Sequence, residues 1–344
     1  MGLLNDLPIK ETKKWPWNTE VSSDIYDANI EWPKISIVTP SFNQGQFIEE
    51  TIRSIVLQNY PNLEYIIMDG GSTDNTLEII DKYRPWIDIV VSEKDGGQSD
   101  ALIKGFEKSS GKILNWINSD DILCETALYH IGITFINNPE LSFVHGKNGI
   151  MDIDSVLYNY MPHPKDLLSI RYLCEMPYGQ QACFFTRDVY FESGGINRDV
   201  HFSMDYELYL RMHLLGIQVK QIDELIGNIR IHDNTKTAQL ESIMHQENGN
   251  AFMTFLISCG KSRYASIFKN IGHTAYANYK VKNMPSSAAI KTAIVLYLKK
   301  NVWYYYNIKQ YETSFIMVRK LFLMDTRLIL NFNYLKIFKD GIKR

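Results

Sequence analysis

The chain has 344 residues, 45% of them hydrophobic, and a formal net charge of −3, so it is long enough for two ordinary domains and can fill the core of at least one α/β unit. Its four cysteines have neither CxxC spacing nor the density of a disulfide scaffold, which argues against a small secreted disulfide protein and against a cysteine-held zinc. The first 32 residues are polar and no run of about 18 apolar residues occurs, so we expect no cleaved secretion signal, no spanning helix and a cytoplasmic location.

The first predicted elements alternate between strand and helix. A short apolar run at 35–38 predicts a strand, and apolar residues at helical spacing predict a helix over 47–58. A second strand over 63–68 is followed by Asp-Gly-Gly, and Ser, Thr and Asp then supply cap residues for a helix over 76–83. This order predicts an α/β fold with a parallel sheet.

The next elements continue the alternation. A strand is predicted over 87–91, a helix with a glycine-rich entry over 97–108, and a strand over 113–117, which ends in Asn-Ser-Asp-Asp at 118–121. Because the carboxyl ends of parallel strands meet at one edge of a sheet, polar groups from four strand ends should gather there. Open α/β folds bind ligands at that edge, which makes it the candidate active site.

The later part of the chain is predicted to turn from mixed structure to helix. Strands over 141–145 and 181–186 and a helix over 205–215 are followed by a helical pattern from about residue 239. The predicted domains are an N-terminal extension at 1–34, an α/β domain at 35–238 and a C-terminal helical region at 239–344.

Residues 261–344 differ from the remainder in charge. They hold 16 Lys and Arg against 3 Asp and Glu, which is +13, so the preceding residues carry −16. This basic, aromatic-rich composition is typical of helices that lie on anionic lipid headgroups. A helical cap packed on protein, or a dimer contact, explains it equally well. Nucleic-acid binding is disfavoured because the remainder is acidic and has no recognisable nucleic-acid module.

The acidic sequence at 118–121 is the first candidate for chemistry. Carboxylates at a strand end suit a hard divalent cation such as Mg²⁺ or Mn²⁺, which keeps several waters and can take further ligands from a diphosphate. The same residues could instead cap a helix beginning at Ile122. Asp69 and Asp95 have the same two interpretations, either as ligand-binding carboxylates or as turn and cap residues.

Three segments together resemble family 2 glycosyltransferases. They are, in chain order, ISIVTPSFNQGQFIEETIRSIVLQNYPNLEYIIMDGGSTDNT, SEKDGGQSDALIKGF and INSDD. Each is a weak signal alone, but their joint occurrence within about residues 35–235 is specific. The resemblance implies a glycosyltransferase-A fold, with a Rossmann-like, mostly parallel sheet flanked by helices and a C-terminal helical extension. It also implies an inverting, metal-dependent glycosyltransferase of the hexosyl type.

The resemblance implies site residues position by position. Asp120 would hold the metal together with His232, which matches a late metal-coordinating histidine of many relatives. Asp205 would be the general base, in a segment similar to the family's Glu-Asp-Tyr-Asp-Leu-Trp-Leu-Arg. The residues implied to bind the donor are Thr39, Pro40, Ser41, Asp69, Asp95, Gly97, Gln98, Asn118, Ser119 and Asp120. Those implied on the acceptor side are Gln180, Gln181 and Gly195.

Three positions depart from the family pattern. Asn118 replaces the first aspartate of the D-x-D motif of many relatives, which removes one charge from the metal site. Ile103 stands where many have asparagine, and Met204 stands where many have an acid beside the base. These departures keep a second hypothesis open, a non-catalytic nucleotide-sugar-binding module of the same fold.

The resemblance also implies partners. The expected donor is a nucleotide-sugar, with a UDP-sugar as the family-based choice, and the expected acceptor is a hydroxyl of a glycan or lipid-linked molecule in envelope polysaccharide synthesis. A lipid-linked acceptor would suit peripheral contact of residues 261–344 with the inner face of the plasma membrane. A homo-oligomer is left open, and no nucleic-acid partner is expected.

Overall fold

The computed structural model of the protein describes residues 3–7, 14–164, 179–232 and 241–342. The chain divides into two compact units. Within the described residues, the first unit consists of 3–7, 14–164, 179–204 and 217–232, and the second of 205–216 and 241–342. The boundary predicted between residues 238 and 239 lies outside the described residues.

Nine strands form one sheet in the described part of the first unit. They are β1 (Ile35–Ser41), β2 (Leu63–Asp69), β3 (Ile89–Ser92), β4 (Ile113–Trp116), β5 (Ile122–Leu123), β6 (Phe143–Met151), β7 (Leu157–Tyr160), β8 (Cys183–Thr186) and β9 (Val219–Arg230). Their order is β3-β2-β1-β4-β8-β6-β9-β5, with β7 paired to β6. The strands β3, β2, β1 and β4 are parallel, and β8 joins β4 antiparallel.

Helices connect these strands and supply apolar faces to the sheet. They are α1 (Ile48–Val56), α2 (Thr76–Lys82), α3 (Gln98–Lys108), α4 (Ala127–Asn137) and α5 (Arg187–Glu192). In α1, for example, Ile48, Ile52 and Ile55 recur at helical spacing and are fully buried. The α/β class is confirmed, and the elements predicted between residues 35 and 117 are present with ends shifted by up to three residues.

The N-terminal residues predicted as an extension contribute to the core of the first unit. Val21, Tyr26 and Trp32 are buried in the same apolar cluster as the sheet. The indole N–H of Trp15 donates a 2.8 Å hydrogen bond to the backbone oxygen of Leu123. Residues 14–34 are therefore packed against the α/β unit.

The second unit is helical and has a core of its own. Its helices are α6 (Met204–Leu215, of which Met204 belongs to the first unit), α7 (Glu241–Ser258), α8 (Ser262–Lys269), α9 (Ser287–Asn307), α10 (Tyr311–Met324) and α11 (Phe332–Ile342). Leu210 of α6 shares a buried cluster with Phe252 and Tyr297, whose rings stack with centroids 4.8 Å apart. The two units thus differ from the predicted continuous domains, because 205–216 groups with the C-terminal helices.

Packing within the second unit accounts for part of the aromatic composition of residues 261–344. Tyr297, Val302 and Tyr305 of α9 are buried in its core. None of the helices in the described ranges has the length and apolarity needed to cross a bilayer.

Candidate active site

A cavity of about 540 Å³ opens at the sheet edge where the sequence predicts the site, a volume within the usual range for small-molecule sites. It lies within the first unit, at the carboxyl ends of β1 and β4. Of the predicted donor-binding residues, those that line it are Pro40, Ser41, Asp95, Gly97, Gln98, Asn118, Ser119 and Asp120. The strand ends therefore bring together residues separated by up to 80 positions in the chain.

Two predicted donor residues lie beneath the cavity instead of lining it. Thr39 is fully buried in β1. Asp69, 2% exposed, accepts hydrogen bonds from the backbone N–H groups of Gly71 (3.1 Å) and Ser72 (2.9 Å) and from the hydroxyl of Ser92 (2.7 Å). In this conformation the Asp69 carboxylate organises the turn after β2.

The amino terminus of α3 forms one wall of the cavity. Gly97 has φ +97°, a backbone conformation that favours glycine, and its N–H donates to the Asp95 carboxylate over 2.8 Å. The side-chain amide of Gln98 donates to the Asn118 side-chain oxygen over 2.7 Å, which joins α3 to the end of β4. Backbone N–H groups and the helix dipole at this position favour an anion such as a diphosphate.

Asp120 and His232 lie side by side although they are 112 residues apart in the chain. Asp120 Oδ2 is 3.4 Å from His232 Nε2, and the two side chains are 20% and 6% exposed. The His232 ring packs against Phe47 with centroids 4.8 Å apart, which fixes the imidazole. Among the described residues, no group of three or more His, Cys, Asp or Glu side chains is arranged to hold a metal. A cation here would therefore take two protein ligands and its remaining ligands from substrate and water.

Asp121, for which the sequence predicts no site role, is a buried structural carboxyl. It accepts hydrogen bonds from the backbone N–H of Arg230 (2.9 Å), from the side-chain amide of Asn118 (3.0 Å) and from that of Gln181. Burial, and next the charge of Asp120, raise the pKa of Asp121 to about 8. Asp121 thus fixes the turn that presents Asp120 to the cavity, and the paired aspartates in the sequence are its only local signal.

Arg230, also unassigned, lies beside Asp120 at the cavity, with its side chain 1% exposed. Its guanidinium contacts Glu50 Oε2 at 2.7 Å, the backbone oxygen of Asp120 at 2.8 Å and the Ser155 hydroxyl at 2.8 Å. It also lies 4.9 Å from the centroid of the Phe47 ring. One buried cation therefore joins α1, the β4–β5 turn and the β6–β7 hairpin around the candidate metal ligands.

We expect Arg230→Leu to destabilise the first unit by about 3–5 kcal/mol, because the substitution leaves the Glu50 carboxylate buried without its partner. Urea unfolding followed by tryptophan fluorescence measures this, since Trp116 is buried in that unit. Arg198→Leu is the matched control: Arg198 pairs with Asp100, but its side chain is 69% exposed, so its loss should cost under about 1 kcal/mol. Equal midpoints for the two variants would contradict this role of Arg230.

The predicted acceptor-side residues support the same corner of the sheet. Gln180 donates a 2.7 Å hydrogen bond to the backbone oxygen of Trp116, and Gln181 donates to the Asp121 carboxylate. Both glutamines are buried. Gly195 lies in the turn after α5 with φ +67°. In this structure the two glutamines stabilise the chain that follows β4, and Gly195 forms a turn.

Asp205 lies in the first turn of α6, in the second unit, and is half-buried. Its carboxylate accepts a 2.8 Å hydrogen bond from the Tyr206 N–H. Burial, and to a smaller extent the charge of Glu247, raise its pKa to about 6 against the opposing effect of backbone hydrogen bonds. A carboxyl with this pKa is largely ionised at neutral pH yet more basic than an ordinary aspartate, as a general base requires.

The segment that leads into Asp205 is fastened to α3 within the first unit. The hydroxyl of Ser99 donates to the backbone oxygen of Val200 and lies 3.6 Å from the sulfur of Met204. Met204 immediately precedes Asp205, and Ser99 immediately follows the cavity residue Gln98. The start of α3 thus lines the cavity and also contacts residues 200–204 of the same unit.

Comparison with known proteins identifies related sequences. The profile of the family named Glycosyl transferase family 2 matches residues 36–195. The chondroitin synthase of Pasteurella multocida (strain Pm70) is 26% identical over 218 residues, which are 61% of this chain and 22% of that protein. The chain spans between 22% and 36% of the length of this and other curated relatives that it matches.

Solved structures share the fold at low sequence identity. Residues 1–349 of S. aureus TarS, in complex with UDP, superpose with a TM-score of 0.58 at 12% identity, over 90% of this chain and 88% of that one. The mannosyltransferase PcManGT from Pyrobaculum calidifontis, in complex with GDP-Man and Mn²⁺, gives a TM-score of 0.52 at 15% identity, over 94% and 87%. These similarities confirm the glycosyltransferase-A fold expected from the sequence. The profile match identifies residues 36–195 as a domain of glycosyl transferase family 2.

Proposed function

We propose that this protein transfers a hexose, with inversion, from a nucleotide-sugar to a hydroxyl of a glycan or lipid-linked acceptor in polysaccharide synthesis. The observation that carries the proposal is the pairing of Asp120 with His232, 3.4 Å apart, at a cavity that the amino terminus of α3 also lines. A diphosphate would meet a cation site on one side and helix N–H groups on the other.

The proposed cofactor is Mn²⁺ or Mg²⁺. The chemistry of the donor set fits, because a carboxylate and an imidazole are both ligands of Mn²⁺, and Mg²⁺ accepts the carboxylate with diphosphate oxygens and water. Asp120 and His232 would hold the cation, which when bound would neutralise the charge that grows on the leaving diphosphate. Asn118 stays outside this proposal, since its side-chain oxygen accepts from Gln98 and its amide donates to Asp121.

The proposed general base is Asp205. In a single displacement the acceptor hydroxyl attacks the anomeric carbon from the face opposite the diphosphate, and its proton passes to the base. Because burial raises the pKa of Asp205 to about 6, the carboxyl is ionised and competent above that pH and protonated below it. Within the first unit, Val200 and Met204, which precede Asp205 in the chain, contact Ser99.

The pH profile tests this assignment. Below pH 6 the value of kcat/KM should fall about tenfold per pH unit, and above pH 6 it should level off, because one carboxylate must be unprotonated. The measurement is kcat/KM from about pH 5 to about pH 8 at saturating Mn²⁺. A profile that stays flat down to about pH 5 would contradict a titrating base with this raised pKa.

The proposed donor is a UDP-sugar. TarS, whose fold this chain shares, has been solved with UDP and with UDP-GlcNAc, whereas PcManGT has been solved with GDP-Man. Thermal shift measurements with UDP-sugars and GDP-sugars in the presence of Mn²⁺ test the choice. Stabilisation by UDP-sugars alone is expected, and a shift seen with GDP-sugars alone would replace this donor.

The competing hypothesis is a nucleotide-sugar-binding module without activity, which the departures at Asn118 and Met204 motivate. Such a module would bind the donor without releasing nucleoside diphosphate, so a diphosphate-release assay separates the two hypotheses. We favour the enzyme because Asp120, His232 and Asp205 are all present.

We also propose a cytoplasmic location with peripheral contact of residues 261–344 to the membrane, since these residues carry a net charge of +13.

A further inference from the structure

The turn that joins α10 to α11 exposes apolar side chains that the core of the second unit does not use. Leu323 is 72% exposed and Leu330 is 88% exposed, and Ile329 between them is 44% exposed. We call residues 323–330 the apolar turn. A single exposed leucine needs no explanation, but three large apolar side chains within eight residues form a patch that water solvates poorly.

Exposed basic side chains lie within the apolar turn and on the helices at both of its ends. Arg319 precedes Leu323 by one helical turn of α10, and both are exposed, so they share a face. Arg327 lies within the turn with its side chain 88% exposed, and Lys336 is exposed on α11. Asp325 lowers the local positive charge, because it pairs with Arg327 at 2.8 Å. The net charge of residues 261–344 is nevertheless +13.

Packing inside the second unit does not explain this patch. The unit buries Val318 and Leu321 of α10 and Ile337 of α11, so the helices on both sides of the apolar turn are anchored by other apolar residues. The exposed leucines therefore point away from a core that is already formed. An anchored helical pair with apolar side chains at its end and cations around them matches the composition of an interfacial membrane contact.

We propose that the apolar turn inserts Leu323, Ile329 and Leu330 into the interface of an anionic lipid bilayer, while Arg319, Arg327 and Lys336 contact the headgroups. The positive charge favours a lipid surface over a protein partner. Anionic headgroups attract basic side chains, whereas an apolar groove of another protein would not. The proposal locates the membrane contact put forward above and rests on it. It would hold the enzyme at the surface where a lipid-linked acceptor lies.

The test uses the full-length protein and sedimentation with vesicles of phosphatidylcholine alone or of equal parts phosphatidylcholine and phosphatidylglycerol. The wild type should bind the anionic vesicles, and the binding should weaken as salt rises. The double variant Leu323→Ser, Leu330→Ser should lower the partition coefficient by about 100-fold, since each buried leucine contributes about tenfold. The matched control is Met284→Ser, Ile308→Ser, because these residues are 54% and 44% exposed in the same unit outside the turn.

The outcomes separate the apolar turn from the broader membrane contact. If the wild type and both double variants bind anionic vesicles equally, the apolar turn is the wrong site and the membrane contact of residues 261–344 stands. If the wild type binds neither vesicle, both proposals fail. If it binds neither vesicle but forms a dimer that the leucine variant disrupts in sedimentation velocity, the patch is a self-association surface. Calorimetric binding of UDP with Mn²⁺ should be the same in all three proteins, which keeps this test independent of the catalytic proposal.

Discussion

Asp205→Asn is expected to lower kcat by about 10²–10⁴, because the variant keeps the shape of the side chain and loses the proton acceptor. The dissociation constant of the donor should stay within about twofold, since the base acts on the acceptor hydroxyl and not on the diphosphate. Single-turnover transfer and calorimetric donor binding measure the two quantities separately. The effect belongs to the chemical step, so it should persist at saturating acceptor.

Asp199→Asn provides the control for this prediction. Asp199 is an exposed carboxylate six residues earlier in the same segment, and its substitution should leave kcat unchanged. If Asp205→Asn kept near-normal turnover, another group would have to take the proton. A loss of donor binding in Asp205→Asn would instead indicate a structural role for the carboxylate at the start of α6.

Asp120→Asn is expected to lower kcat/KM by at least about 100-fold, because metal-ion stabilisation of a leaving group supplies several kcal/mol and about 1.4 kcal/mol corresponds to tenfold in rate. The apparent affinity for Mn²⁺ should fall in the same variant. Manganese titration followed by electron paramagnetic resonance, together with turnover at each Mn²⁺ concentration, measures both. Excess Mn²⁺ should recover part of the lost activity, since His232 still lies at the site.

Asp154→Asn serves as the matched control, because Asp154 is exposed on the β6–β7 hairpin of the same unit. It should change neither Mn²⁺ affinity nor turnover. Unchanged Mn²⁺ dependence in Asp120→Asn would remove Asp120 from the metal site. Asp120 would then share the structural role of Asp121 in the turn between β4 and β5.

The sequence predicts those parts of the fold whose signals are local. Periodicity predicts the strands and helices up to residue 117, and the order of strand and helix implies that polar strand ends share one edge. β9 was not predicted, because this 12-residue strand is partly exposed and contains Lys, Asp, Glu and Gly. The position of α6 in the second unit was also missed. Glu207 and Arg211 are buried there as an ion pair, so the helix has no polar face that marks its orientation.

In the candidate site, too, the sequence predicts residues that lie in recognisable motifs and does not predict contacts between residues far apart in the chain. Asp120 and His232 were assigned from the family resemblance, and the structure brings them together. Arg230 and Glu50 were missed, because they are 180 residues apart and nothing local distinguishes a buried arginine from an exposed one. Asp69 had two interpretations in the sequence, and only its hydrogen bonds to Gly71 and Ser72 show how the carboxylate is used in this conformation.

Calorimetric titration of UDP into the wild-type protein, with and without Mn²⁺, tests most directly whether a cation on Asp120 binds the diphosphate. We predict that UDP binds at least about tenfold more tightly with Mn²⁺, and that Asp120→Asn removes this difference while Asp205→Asn preserves it. Equal binding of UDP by the wild type with and without Mn²⁺, or an undiminished Mn²⁺ effect in Asp120→Asn, would contradict the proposed donor site.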